Sequence, residues 1–275
     1  MRLRTHRRVH RALGRGGRSA RAREVPQEGE RASRPGRRGR ADLSRAQPHQ
    51  PAARAGAPSG DPLPLDPGTL MSEADTRARL EAFRARGEDA ALLEAALIVA
   101  GAGREGLDEA AVEAEFESLA AGAMAAVPSF APLRVRLEGL CGWLRDGCGF
   151  HGDSERYYEA DNSLVDRVLA TKRGIPISLA VVYAEVAARV GLRCEGVNFP
   201  GHFLLRAFGD DEALLLDPFA GTVLDDAACL RLLRSTQGPS AVLREEHLAV
   251  ATPLMVLVRM LNNLKQLAVA QERWF

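Results

Sequence analysis

The stretch Arg173-Gly174-Ile175-Pro176-Ile177-Ser178-Leu179-Ala180, followed on to Asp217-Pro218, decides the fold of this chain. Pro176 suits the first position of a helix, where its missing N–H is no loss and its fixed φ already matches the first turn. Ile177, Ala180, Val181, Ala184, Ala187 and Ala188 recur at helical spacing, and Gly191 stands where a helix cap is expected. Glu185 and Arg189 are among the few charges on this helix, predicted over 176–190. A helix apolar on several sides needs cover on more than one of them, so it belongs in the interior.

The residues that follow supply that cover. A short extended run over 193–198 leads into the turn Pro200-Gly201. His202 to Phe208 alternates as a strand, with His202, Leu204 and Arg206 on one face and Phe203, Leu205 and Ala207 on the other. Gly209-Asp210-Asp211-Glu212 is a polar turn, and Ala213 to Asp217 returns until Pro218 ends the ladder. Pairing Phe208 with Ala213 sets Leu204 opposite Asp217 and makes His202 its diagonal neighbour, roughly 7–8 Å away between backbones. A carboxylate so placed can fix the tautomer and orientation of an imidazole. The prediction is an α+β fold, a buried helix packed on a small antiparallel sheet of 193–198, 202–208 and 213–217.

A helical lead-in is expected over 71–160. Ser72-Glu73-Ala74-Asp75 reads as a helix start, with its acids at the favourable end of the dipole. Leu80, Phe83, Leu92, Leu93, Ala96 and Leu97 carry a helical pattern to a glycine-rich break at 101–106. Leu107-Asp108-Glu109 opens a second helix towards Met124, and Leu133 to Trp143 reads as a third. Gly147 to Asp153 is loop. Tyr157 and Tyr158 precede Asn162-Ser163, either of which is placed to cap a short helix carrying Leu164, Val165, Val168 and Leu169. The core is assigned to 161–250, with a further short helix over Leu224 to Leu233. Residues 251–275 form a closing helix from about Pro253, with Leu254, Leu257, Val258, Leu261, Leu264 and Leu267 on one stripe.

The 275 residues carry a formal net charge of +1, which conceals two opposite parts. Residues 1–70 hold 16 Arg, no Lys, six acidic residues and no aromatic, a net of +10 that leaves −9 on the remainder. That segment has too few apolar side chains to offset ordering entropy and is predicted to be disordered. Two readings of it stand. One is a nucleic-acid-binding arm drawn to phosphate by its arginines. The other is translated sequence upstream of a start at Met71, favoured because base stacking needs aromatics that the segment lacks. Nucleic acid is thus an expected partner only if residues 1–70 are a genuine part of the protein.

No stretch approaches the ~18–20 uninterrupted apolar residues of a membrane span, and no hydrophobic segment follows Arg7-Arg8. A cytoplasmic protein without membrane contact is expected. Cys141, Cys148, Cys194 and Cys229 show neither CxxC spacing nor a histidine at zinc spacing. The sequence therefore points to no metal and no other cofactor.

Asn162-Ser163-Leu164, Arg173-Gly174-Ile175-Pro176-Ile177-Ser178-Leu179, Pro200-Gly201-His202-Phe203-Leu204 and Leu216-Asp217-Pro218-Phe219 occur in that order. Together they resemble the bacterial SirB family, a branch of the transglutaminase-like fold related to papain-type cysteine enzymes, over about residues 80 to 275. The resemblance implies a site in which a cysteine opens the buried helix, a histidine on the next strand activates it and an aspartate orients the histidine. His202 and Asp217 match the second and third positions. Counting from Ala180 and Gly191 brings the first position onto Pro176, which has no nucleophilic atom. The resemblance also likens Arg259-Met260-Leu261-Asn262-Asn263-Leu264-Lys265 to the linker into tetratricopeptide-like repeats. Residues 251–275 are then either a truncated start of such repeats or a helix packed on the core.

On this reading no catalytic residue is assigned, and the expected function is binding or regulation, with an unidentified protein or peptide as partner. The alternative is a hydrolase or acyltransferase with Ser178 or Cys194 as a displaced nucleophile beside His202 and Asp217. Each candidate also has a plainer reading. Ser178 is a first-turn capping hydroxyl, and Cys194 is a small packed residue. Arg173, beside the cleft, is either an anion ligand or a solvated loop arginine. His202 and Asp217 are otherwise a structural pair closing the hairpin. Cys148 lies in a glycine-rich loop with no identifiable base.

Overall fold

The computed structural model describes residues 72–104 and 106–270. The expectations for 1–70, the start at Met71 and the last residues of the chain lie outside them. Helix α1 (Glu73–Arg86) begins as its residues require, with the Ser72 hydroxyl accepting the Asp75 N–H at 3.1 Å. Gly87, with φ +58°, ends it. Helices α2 (Leu92–Gly103), α3 (Glu109–Ala123) and α4 (Leu133–Gly142) follow, and Asp108 caps α3 through the Ala111 N–H. A π-helical turn over Trp143–Gly147 extends α4.

The core begins with strand β1 (His151–Gly152), helix α5 (Val165–Thr171) and strand β2 (Arg173–Gly174), the two strands pairing in parallel. Helix α6 (Pro176–Arg189) comes next, then β3 (Arg193–Val197), β4 (Leu204–Phe208), β5 (Ala213–Asp217) and β6 (Thr222–Leu224). Helices α7 (Asp226–Gln237) and α8 (Pro253–Ala270) complete the described fold. This is an α+β architecture, as the sequence predicts.

Helix α6 is the axis of the molecule. Ile177, Leu179, Val182, Tyr183 and Val186 are all buried, because α2, α3 and α5 cover one side of the helix and the sheet covers another. Each large apolar side chain so buried contributes roughly 1.5–3 kcal/mol. Strands β3-β4-β5-β6 form one antiparallel sheet, and Phe208 pairs with Ala213 as the hairpin spacing requires. Alternation sends Phe203, Leu205, Ala207 and Leu216 into the core around α6. It sends Leu204 and Leu215 the other way, onto a second cluster with Val197, Phe199, Cys229 and Leu233 beneath α7. Cover on both faces explains why β4 and β5 carry so few polar residues.

Four expectations are corrected. The strand read from His202 starts only at Leu204, because Phe199-Pro200-Gly201-His202 closes a turn. A fourth strand, β6, occupies the start of the helix expected from Leu224, and α7 begins at Asp226 with Asp225 as its cap. Asn162 and Ser163 do not cap α5; they are buried in a 3₁₀ turn over Ala160–Ser163, and Leu164 stands at the cap position without a side-chain bond. On α8 the inner stripe runs through Val256, Leu257, Met260 and Leu267, whereas Leu254 and Val258 are 47% and 49% exposed. Leu254 and Val258 lie four residues apart on one outward face, so leucine spacing alone chose the wrong edge of the helix.

Candidate functional site around His202 and Asp217

The site starts from a turn. The His202 N–H donates to the Phe199 carbonyl at 3.0 Å, with proline second and glycine third in the four residues and Gly201 at φ +70°. That is the arrangement of a type II turn, whose third position requires positive φ. A side chain at Gly201 would also meet Thr236 Cβ at 2.7 Å, and the Thr236 hydroxyl anchors the turn by donating to the Pro200 carbonyl at 2.8 Å.

His202 is 9% exposed and its partner Asp217 6%. His202 Nε2 lies 2.9 Å from Asp217 Oδ1, so Nε2 carries the proton of this bond. The same oxygen accepts the Phe219 N–H at 2.9 Å and the Ala220 N–H at 3.3 Å. Three donors therefore converge on one carboxylate oxygen, and the chain after Pro218 is wrapped around it. His202 Nδ1 hydrogen-bonds to nothing among the described residues, which leaves it as the ring's open nitrogen.

Phe219 supports the ring edge-on, with centroids 5.8 Å apart and planes at 85°. Tyr157 stands 6.5 Å beyond Phe219, and Tyr158 5.5 Å beyond Tyr157. Phe219 in turn lies directly on Gly152, where a Cβ would overlap its ring, and the Gly152 N–H donates to the Phe219 carbonyl at 3.1 Å. Gly152 pairs with Gly174, two residues before Pro176. The aromatic wall thus connects the histidine to the short ladder from which α6 departs.

The other sequence candidates fall elsewhere. Ser178 is fully buried, and its hydroxyl donates to the Asn162 carbonyl at 2.6 Å while accepting the Ile175 N–H at 3.1 Å. It makes no bond to His202. Cys194 sits in β3 opposite Ala207, and burial, with Glu195 adding, pushes its thiol up to about 12. Burial likewise pushes Cys141 up to about 12 and Cys229 up to about 11, and raises Cys148. Arg173 lies in β2 opposite His151, half-buried, with no ion pair among the described residues. Pro176 is buried as the first residue of α6. Among the described residues no cluster of three metal-ligating side chains occurs, and no helix is long and apolar enough to cross a membrane.

Comparison with known proteins decides the family. The model of the transglutaminase-like superfamily matches residues 110–262. The chain belongs to that superfamily. This bears out the resemblance drawn from the four motifs, over a narrower span than 80 to 275. The chain is 36% identical over 180 residues to a UPF0162 protein of Pseudomonas aeruginosa, covering 66% of each chain. It is 38% identical over 130 residues to a UPF0162 protein of Xylella fastidiosa, covering 46% of each. A stretch of 82 residues is 42% identical to F-box only protein 21 of Mus musculus, covering 30% of this chain and 13% of that one. The matched stretch spans about half the length of the Xylella fastidiosa relative. No solved structure matches.

Sequence reasoning missed the aromatic wall and Gly152. Tyr157, Tyr158 and Phe219 were visible as residues, but nothing local marks a glycine that must receive a ring from a distant turn. It also missed Arg259, from α8, whose guanidinium lies 5.4 Å from the centre of the Phe203 ring and donates to Asn198 Oδ1.

Proposed function

We propose that this transglutaminase-like domain binds a protein or peptide ligand at the His202–Asp217 site without turning it over. One observation carries the reading: the imidazole is oriented by Asp217 and Phe219, yet no thiol or hydroxyl among the described residues bonds to it. A nucleophile needs its base within about 3–3.5 Å. The alignment that the resemblance gives, with Pro176 where the family has cysteine, supports the same conclusion. Ser178 and Cys194 are poor substitutes, since the Ser178 hydroxyl is held by two backbone groups and burial keeps Cys194 a neutral thiol. A cytoplasmic setting is proposed with it, supported by four free cysteines. The test is a panel of chromogenic esters and amides offered to the purified chain. No turnover above buffer is expected; turnover that disappears in His202→Ala would overturn the proposal.

A further inference from the structure

Arg259 is anchored on one side only. Its Nη1 donates to Asn198 Oδ1 and, at 3.4 Å, to the Phe199 carbonyl, the group that also receives the His202 N–H. Its guanidinium rests against the Phe203 ring, next in sequence to the histidine. The Nε and Nη2 donors meet no acceptor among the described residues, and no carboxylate pairs with this arginine there. Those two nitrogens form the edge of a guanidinium that grips a carboxylate with two parallel hydrogen bonds. Burial depresses the arginine to about 10, the mark of a cation lacking a counter-charge. Among the described residues, the titratable group that acts on it is Tyr157, whose ring continues the wall behind Phe219.

We infer that Arg259 is a carboxylate-binding residue of the His202 site, taking an acidic side chain or free C-terminus of the ligand on its Nε/Nη2 edge. The inference rests on the binding function proposed above and names the chemistry of what is bound. Neutral acceptors on Nη1 fix the guanidinium without satisfying its charge, and the aromatic face beneath it excludes water from one side. Attachment through Phe199 places the bound carboxylate on the same turn that positions His202.

The test uses the full chain with ¹⁵N-labelled arginine and histidine. N-acetylglutamate is titrated at fixed ionic strength, with inorganic phosphate and sodium chloride as parallel arms. The Arg259 Nε–H resonance, assigned by its loss in Arg259→Gln, is expected to shift saturably with N-acetylglutamate and not with chloride, together with the His202 ring. Arg259→Gln is expected to weaken that binding, read at His202, by about tenfold or more. Arg259→Lys, which keeps the charge without the fork, is not expected to restore it. The inference is overturned by an absent or non-saturating shift at Arg259, by equal affinity in a folded Arg259→Gln, or by saturation with phosphate alone. Saturation at His202 without Arg259 overturns this inference and leaves the binding function intact. Conversion of N-acetylglutamate to a new species overturns the non-catalytic reading instead, and the Arg259 shift is then judged separately.

Discussion

Arg189 and Arg259 each hold a guanidinium 5.4 Å from a buried phenylalanine ring, and there the likeness ends. Arg189, at the end of α6, faces Glu113, Glu117 and Glu185, so the seam between α3 and α6 is electrically closed. Burial works against its charge, but its hydrogen bonds to the three glutamates outweigh burial and raise its pKa. Arg259, beside the His202 turn, has among the described residues only an amide oxygen and a backbone carbonyl as acceptors, and burial lowers its pKa. Two cations of one kind on one kind of ring therefore separate a structural seam from a site still short of its counter-charge. A half-buried cation with no carboxylate partner among the described residues is the feature to follow.

The closed interior makes the largest prediction. Cys141 and Cys194 are pushed from 9.0 up to about 12 by burial, so at pH 8 their thiolate fraction falls by about a thousandfold. Alkylation by iodoacetamide, followed by mass spectrometry, should run at least about a hundredfold slower in the native chain than in urea. Raised thiol pKa values also set a sign. The stability they confer is complete below about pH 9 and declines as pH rises towards about 12, where unfolded thiols ionise and folded ones do not. Fast native labelling at pH 8 would break the comparison from its closed side.

Asp217→Ala should cost roughly 3 kcal/mol in urea unfolding, since it strands a buried imidazole N–H and the Phe219 and Ala220 amides together. A loss below about 1 kcal/mol would mean that the carboxylate does not organise the turn. Gly152→Ala should cost about 2 kcal/mol, because its methyl must displace the Phe219 ring. The same substitution should move the His202 ring resonances, and unchanged resonances would detach the aromatic wall from the histidine. The smallest effect separates the two arginines most cleanly. Arg189→Met should destabilise by about 1 kcal/mol through the loss of its pairs with exposed Glu113 and Glu117 and half-buried Glu185, while Arg259→Met should fall within about 0.5 kcal/mol of neutral. A larger loss at Arg259 would make it a structural cation.

These residues also divide what was legible in the sequence from what was not. The hairpin register could be read because strict alternation and a four-residue polar turn leave one pairing that buries Leu205 and Leu216 together. The histidine and aspartate followed from that register. The Gly152–Phe219 contact and the reach of Arg259 to Asn198 join residues dozens of positions apart, and no local period encodes them. Strand β6 is three half-buried residues, too short to show alternation. Asn162 looked like a cap, but its side chain donates instead to the Arg156 carbonyl, and its own carbonyl receives Ser178.

The central proposal, which rests on the family resemblance, is that α6 begins where a cysteine would face His202, with Pro176 in its place. The most direct measurement is the pH dependence of iodoacetamide alkylation at residue 176 in Pro176→Cys, with and without His202→Ala. A thiol in the inherited position would share a proton with the open Nδ1 of His202. Its alkylation is therefore predicted to extend well below the ordinary thiol range near pH 8.5, and to return to that range when His202 is removed. A profile centred near 8.5 in both proteins would contradict the account and separate Pro176 from the site.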